Sequence, residues 1–579
     1  MLPLLLFLAC TGATDSEPVV ESAAIDADAD GFFAAEDCDD QEAAIHPGAT
    51  EVPYDGADND CDPGTRDDDL DGDGVVVATD CNDEDATIYP GATEVPYDGI
   101  DNDCDSVTPD DDLDGDGALG ATDCNDGDAG IYPGSIEVPG DGVDQDCDGQ
   151  DALRWLEGDL VLPDAAAARS FCQNYDAIRG SLSLDASWNE PDLSAFSCLQ
   201  QVEGDLQMSY VWYGRQGTYQ GLEQLSRVGG DLVIQETSST DMQGLSALEV
   251  VGGDFRLICN DYGFTPGSLD GLSALAEIGG TLEQAGCRVG FSGLVSLQSL
   301  GALWVYKAGN TAYVQDFTGL EGVASMQSLV LEEVQVQSSA GLEGLHSVGE
   351  LCIRKGSLPE LLGFSALEEV SGTLTIDTAF DLGSTQGLEN LRYAGAISLS
   401  YRDYTYDGRG IAYPLTGILT DLRGFSGLQE VAGDLSLGGY LGVQDFSGFE
   451  ALERVGGALS FGPNDAPIEH FDLLTEVGGL SVESSAGHYD YLSDTTSYRG
   501  GATTIAGLAA LQVVSGNLSL SHNSLLQDLS PLSQITGVAG DFSITHNDGF
   551  SDGTAEALRD AIGVGNIGGT ILIEDNTGP

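Results

Sequence analysis

The chain has 579 residues, with 98 acidic side chains against 18 basic ones, a formal net charge of −80, and 79 glycines. That length exceeds what one compact hydrophobic core sustains, and 41% hydrophobic residues exclude a wholly disordered chain. So acidic a surface repels phosphate backbones and anionic lipid, which excludes nucleic acid and polybasic membrane docking and leaves cations as the natural partners.

Residues 2–9 are an apolar run ending at Cys10, after which the chain is polar to about Ala24. The run is too short to span a bilayer, which needs about 20 residues. Ala9 followed by Cys10 resembles the end of a bacterial lipoprotein signal, in which the Cys becomes the lipidated terminus. The resemblance implies a signal-like segment at 1–9, lipidation of Cys10 and a disordered tether over 10–25. Phe7 and Leu8 depart from that pattern and no Lys or Arg precedes them, so an ordinary secretion signal or a start further upstream is the alternative. The expected place is the extracellular face of a bacterial outer membrane, lipid-anchored, or the medium.

Residues 26–151 hold three acidic repeats at an offset of 43. In residues 1–151, 44 acidic side chains face one base, Arg66. The first half of each repeat reads Asp26-x-Asp28-x-Asp30-Gly31 with Asp37 at the twelfth position, then Asp69-x-Asp71-x-Asp73-Gly74 with Asp80, then Asp112-x-Asp114-x-Asp116-Gly117 with Asp123. A twelve-residue calcium loop takes oxygen ligands at positions 1, 3, 5, 7, 9 and 12 and needs Gly at 6 for its sharp turn. All three copies fit. No amphipathic helices flank them, so they are not EF-hand pairs.

The second half of each repeat alternates carboxylates again, at Asp58, Asp60 and Asp62, at Asp101, Asp103 and Asp105, and at Asp144, Asp146 and Asp148. Counting twelve from Asp58 or Asp101 reaches Asp69 or Asp112, so a second ion sharing ligands with the next loop is expected. In the last copy the twelfth residue is Trp155, leaving any final site incomplete. Between the halves, segments such as Ile88-Tyr89-Pro90-Gly91 carry a turn, with Ile and Val expected to fill a very small core. These repeats resemble the metal-binding repeats of MopE-type surface proteins and, more loosely, thrombospondin type 3 repeats. That family name carries a copper association, yet hard oxygen donors select calcium, and this region offers one imidazole, His46.

Six cysteines lie in the repeats in pairs 23 apart, which points to an oxidising compartment. Pairing across repeats would strand Cys38 and Cys147. Pairing within them, Cys38–Cys61, Cys81–Cys104 and Cys124–Cys147, strands none, and each bridge contributes about 3 kcal/mol by chain entropy. Without ions, charge at this density swells the segment, so ion binding and folding form one equilibrium.

From 152 to 579 a second repeat runs, Gly-x-Leu-x-(Leu/Ile/Val), at spacings mostly of 21–27 with two of 38. It predicts a mainly β, right-handed parallel β-solenoid of about 17 coils, each unable to bury its apolar face alone. Upstream units such as Gly244-Leu245-Ser246-Ala247-Leu248 suit a bend or short helical turn on the opposite side. Leu518…Asn523, Phe542…Asn547, Ile571…Asn576 and Phe255…Asn260 extend to the Leu-x-Leu-x-x-Asn of leucine-rich repeats. Phe171-Cys172-x-x-Tyr175-x-x-Ile178-x-Gly180-x-Leu182-x-Leu184 resembles receptor L domains more closely. Stacking should bring Cys172 to Cys198 and Cys259 to Cys287. Cys352, the middle residue of Leu351-Cys352-Ile353, should point outward and stay unpaired within the chain, as an incidental exposed thiol or, alternatively, an intermolecular one.

Three long loops rich in aromatics follow strands: Tyr210, Trp212 and Tyr213; Tyr401, Tyr404 and Tyr406; and Tyr489 with Tyr491. Rigid rings with polar tips suit glycan or protein recognition. The expected whole is a non-enzymatic cell-surface protein, a calcium-stiffened stalk displaying a solenoid for adhesion or ligand binding. The alternatives are a secreted β-helix enzyme acting on polysaccharide, for which no Lys or Arg pairs with an Asp cluster at a one-coil offset, and a copper-scavenging surface protein.

Overall fold

The computed structural model describes residues 26–65, 67–106, 110–162, 170–184, 193–209, 219–235, 242–259, 269–308, 312–377, 379–400, 404–406, 412–414, 419–438, 442–462, 466–483, 487–490, 495–498 and 501–578. The expected signal segment, tether and Cys10 lie outside them. The chain divides into two units, Met1–Ala152 and Leu153–Pro579.

Among the described residues of the acidic unit there is no helix or strand; the chain is a succession of turns. Its halves are joined by backbone bonds that recur at the repeat offset: the amides of His46, Tyr89 and Tyr132 donate to the carbonyls of Asn59, Asn102 and Gln145. Those same three residues turn their side-chain oxygens onto the amides of Val52, Val95 and Val138. Disulfides join Cys38 to Cys61, Cys81 to Cys104 and Cys124 to Cys147.

The small apolar core expected there does not form. Ile88 is buried, but Val52, Val95 and Val138 are each more than half exposed. What lies inside instead is polar: Asp37, Asn59, Asp83, Asn102 and Gln145. A segment so short of apolar side chains per turn has no hydrophobic term to hold it closed, so its interior must be held by hydrogen bonds, bridges and charge compensation.

The second unit is mainly β, a parallel solenoid. Leu160 pairs with Leu182, and the ladder continues through Leu206, Leu232, Phe255, Leu282, Leu303, Leu329, Leu351, Leu374, Ile397, Leu435, Leu459, Leu480, Leu518 and Phe542 to Ile571. Each of these side chains points inward because alternate strand residues share a face. The interior rungs are fully buried, whereas Leu160 and Ile571 at the ends, with a neighbour on one side only, are partly covered. Just upstream runs a second column of short parallel pairings, for example Ile178 with Val202 and Val228 with Val251. The bend between the two columns needs glycine for reasons of approach. A Cβ on Gly252 would lie 2.2 Å from the carbonyl oxygen of Gly229 in the coil before. Beside that bend an aspartate carries the stack further: Asp205 accepts from the amide of Asp231, Asp231 from that of Asp254, and Asp254 from that of Thr281.

On the opposite side the Gly-Leu-x-x-Leu units form short 3-10 turns, such as Gln243–Leu245, Asp270–Leu272 and Ala506–Leu508, with their Gly and Leu buried. Phenylalanines fill the space between the sides in a column, Phe425 on Phe449 on Phe471, with ring centroids 5.5 and 5.2 Å apart. Both 38-residue spacings contain a hairpin outside the ladder, Tyr404–Tyr406 against Ala412–Pro414 and Gly487–Asp490 against Thr495–Tyr498. The helix Asp552–Ile562 lays Ala555, Leu558 and Ile562 onto the last coils.

Candidate metal centres

The first half of each acidic repeat curls around its own carboxylates. Asp26 accepts the amides of Ala29 and Gly31 on its two oxygens, at 2.6 and 3.0 Å. Asp69 does the same with Gly72 and Gly74, and Asp112 with Gly115 and Gly117. The curl requires the sixth position to be left-handed, and Gly31, Gly74 and Gly117 have φ of +107°, +99° and +96°. Asp28 and Asp30 then each spend one oxygen on an amide two residues on, as does Asp37 on that of Asp39.

Their other oxygens decide the chemistry. Oδ2 of Asp28, Asp30 and Asp37 is buried without a hydrogen-bond partner, and so is Oδ2 of Asp71, Asp73 and Asp80, and of Asp114, Asp116 and Asp123. Ligand oxygens of Asp26, Asp28 and Asp30 lie within 4.8 Å of one another. Burial, reinforced by the negative charge of the neighbouring aspartates, pushes the Asp28 and Asp114 carboxyls up against the pull of an amide donor. Removing ionised oxygens from water without partners is unfavourable unless a cation compensates. A converging set of hard oxygens and no soft donor fits a hard metal cation. The cysteine sulfurs nearby are tied up in disulfides, and the ring of His46 stacks on Phe32 at 4.9 Å.

The loops also contain a carboxylate that the twelve-residue template omits. Asp40, Asp83 and Asp126, three residues past the twelfth position, each accept an amide near the start of their loop, from Ala27, Leu70 and Leu113. Asp83 is only 8% exposed, and Oδ2 of Asp83 and of Asp126 is buried and unpartnered. Recurrence at the 43-residue offset was the signal that would have found them.

In the second halves Asp60 accepts the Thr65 hydroxyl and the Asp62 amide, and the Thr65 bond, with the Asp62 amide, holds its carboxyl below the usual range. Asp103 accepts the Asp105 amide. Asp58 and Asp60 share a cluster with Glu51, a residue the alternating-aspartate pattern did not mark, and Glu94 and Glu137 recur at its offset. Asp101 and Asp105 keep the same places in the second copy, and Asp62 caps the amide of Gly64. In the third copy Asp144, Asp146 and Asp148 turn onto the amides of Asp148, Gly149 and Gln150 and form a curl of their own.

Three stretches of the chain, residues 37–68, 80–110 and 123–152, match the Cu-binding MopE family, described as "Putative metal-binding motif". The acidic unit carries MopE-type repeats. No curated protein is significantly similar to the chain. Among solved structures, a chain from the crystal structure of a TLR13–ssRNA13 complex aligns with a TM-score of 0.37 and 16% identity over 72% of this chain. The alignment covers 57% of that chain's length, and a likeness this loose bears on neither fold nor ligand.

In the solenoid, disulfides join Cys172 to Cys198 and Cys259 to Cys287 in adjacent coils. Cys352 is unpaired but not the exposed thiol that alternation suggested. It is 5% exposed, sunk between its cross-strand neighbours Val330 and Thr375. Burial pushes its thiol up, with Arg354 opposing and the acids Glu350, Glu332 and Asp377 adding to the rise.

Of the aromatic loops, Tyr210, Trp212, Tyr213, Tyr401 and Tyr491 lie outside the described residues. Tyr404, Tyr406 and Tyr489 lie on the backbone of the two hairpins. The asparagines Asn523, Asn547 and Asn576 form a buried column, the amide of each of the first two donating to the next side-chain oxygen; Asn260 lies outside the described residues. One exposed aromatic was overlooked on the sheet itself. Trp304, 42% exposed, leans on Tyr306 with centroids 5.0 Å apart. Tyr306 donates to Glu283 at 2.7 Å, and burial with that bond pushes its phenol up to about 12. Arg256 closes the patch between Asp231, Asp254 and Glu283.

Proposed function

We propose that the protein is a calcium-binding bacterial surface lipoprotein, attached through Cys10, whose solenoid serves adhesion or ligand binding rather than catalysis. The observation that carries the metal half is the set of buried, unpartnered aspartate oxygens repeated three times in one register. Calcium is favoured over copper because every convergent donor is a carboxylate oxygen. Ion binding supplies the charge compensation that an interior so poor in apolar side chains needs, so the repeats fold as they load. The solenoid half of the reading is supported by the exposed Trp304 against the half-buried Tyr306, beside hydrogen-bonding charged groups, a combination suited to stacking against a sugar ring or a protein side chain.

Titrating the chelator-treated full chain with calcium, magnesium and copper(I) in a calorimeter tests the metal half. Calcium should bind tightly, with a fall in hydrodynamic radius. A copper preference, or no calcium uptake, would overturn it. A glycan array of wild type against Trp304→Ala tests the binding half, since loss of any captured glycan is expected and equal capture would remove the patch from the reading.

A further inference from the structure

The second halves of the repeats are not equivalent, and the difference lies in one glutamate. Glu51 gives one oxygen, Oε2, to the amides of Asn59 and Asp60, at 2.9 and 3.2 Å. Its other oxygen, Oε1, is buried with no hydrogen-bond partner, and lies in a cluster with Asp58 and Asp60 whose ligand atoms are all within 4.8 Å of one another. Glu94 repeats the arrangement: Oε2 accepts the Asp103 amide at 3.1 Å and Oε1 is buried and unpartnered.

Glu137 breaks it. Its Oε1 accepts the amide of Asp146 at 2.8 Å, and its Oε2 accepts the amide of Ala152 at 2.9 Å, so both oxygens are satisfied by backbone. The residue 43 positions before Ala152 is Pro109, which has no N–H to offer the glutamate of the second copy. A buried carboxylate oxygen requires either a donor or a cation. The third copy has the donor. Among the described residues the first two do not; the first copy's counterpart of Ala152, Arg66, lies outside them.

We infer that the acidic unit binds five divalent cations: one in each of the three Asp-x-Asp-x-Asp-Gly loops, with Asp40, Asp83 and Asp126 as added donors, and one each at Glu51/Asp58/Asp60 and Glu94/Asp101/Asp103. The equivalent position at Glu137 is closed by the protein itself. This rests on the calcium reading above and adds to it a stoichiometry and two glutamate ligands that the aspartate pattern leaves unmarked.

The test is calcium counted by mass spectrometry of elements on the full chain, equilibrated at saturating calcium and gel-filtered into a calcium buffer at low micromolar free ion. Five ions per chain are expected for wild type, four for Glu51→Gln, four for Glu94→Gln and five for Glu137→Gln. Three ions in wild type, with the glutamine variants unchanged, would overturn the inference while leaving the calcium reading intact. Six ions, one of them lost in Glu137→Gln, would overturn the asymmetry. No bound calcium would overturn both. Because the wild-type count alone separates three, five and six, a variant that fails to fold does not remove the test, and free-thiol titration under denaturant reports whether each variant kept its disulfides.

Discussion

Replacing Asn547 by Ala should unfasten the last coils of the solenoid and leave the rest untouched. Asn547 is fully buried. Its side-chain oxygen accepts the backbone amide of Asn523 at 2.9 Å, and its Nδ2 donates to the carbonyls of Leu520 and Thr545, each at 3.0 Å, and to Oδ1 of Asn576 at 2.8 Å. Truncation removes three bonds to backbone groups that water cannot reach. At about 1 kcal/mol for each, the loss is about 3 kcal/mol, with the unfilled side-chain volume adding to it. Since about 1.4 kcal/mol is a factor of ten, amide exchange from Leu518 onward should accelerate roughly a hundredfold. Native-state hydrogen exchange read by mass spectrometry is the assay. Peptides around Leu232–Gln235 serve as the internal control, because coupling in a stack passes mainly between neighbours. Exchange at Ser521–Ser524 changed by less than threefold would refute the reasoning, as would equal acceleration in the distant peptides.

Gly252→Ala forces a Cβ to 2.2 Å from the Gly229 carbonyl oxygen, and lowers stability by about 3 kcal/mol or more, whereas Gly565→Ala, with nothing within 4 Å, leaves the melting temperature unchanged. The Cys352 thiol reacts with a maleimide at least a hundredfold more slowly in the native chain than in denaturant, its burial and raised pKa both withholding the thiolate; equal rates would show an open thiol. Asp421 is held at about 2 from the usual 3.8 by the Arg423 guanidinium, with the Ser384 hydroxyl and a backbone amide assisting. A carboxyl depressed on folding stabilises fully above 3.8, and the gain disappears as pH falls through about 2. Asp421→Asn therefore costs on the order of 1–2 kcal/mol of local stability at pH 6 and far less near pH 2, which exchange at Leu419–Phe425 measures.

Some of this was legible in residue spacing because the governing forces are local or periodic. The ladder from Leu160 to Ile571 follows from an apolar alternation that only one side of a strand can bury. The loops at Asp26, Asp69 and Asp112 follow from a curl whose hydrogen bonds span five residues. Cys352 was misplaced because alternation gives a direction and not an exposure: whether an outward side chain meets solvent depends on what stands beside it in the next coils, here Val330 and Thr375. The Ile and Val of the acidic unit were misplaced because they were assigned a core by hydropathy, where too few apolar groups converge to make one.

Sequence alone determined the two repeat periods, the alternation of carboxylates and the inward faces of the coils, since each is set by backbone geometry repeating along the chain. Tertiary structure alone decided which carboxylate oxygens are left without donors. Glu51, Glu94 and Glu137 stand at equivalent places in three similar repeats. They differ only because the chain brings the Ala152 amide to one of them, and an electrostatic debt inside a protein is settled by whatever group folding places within reach.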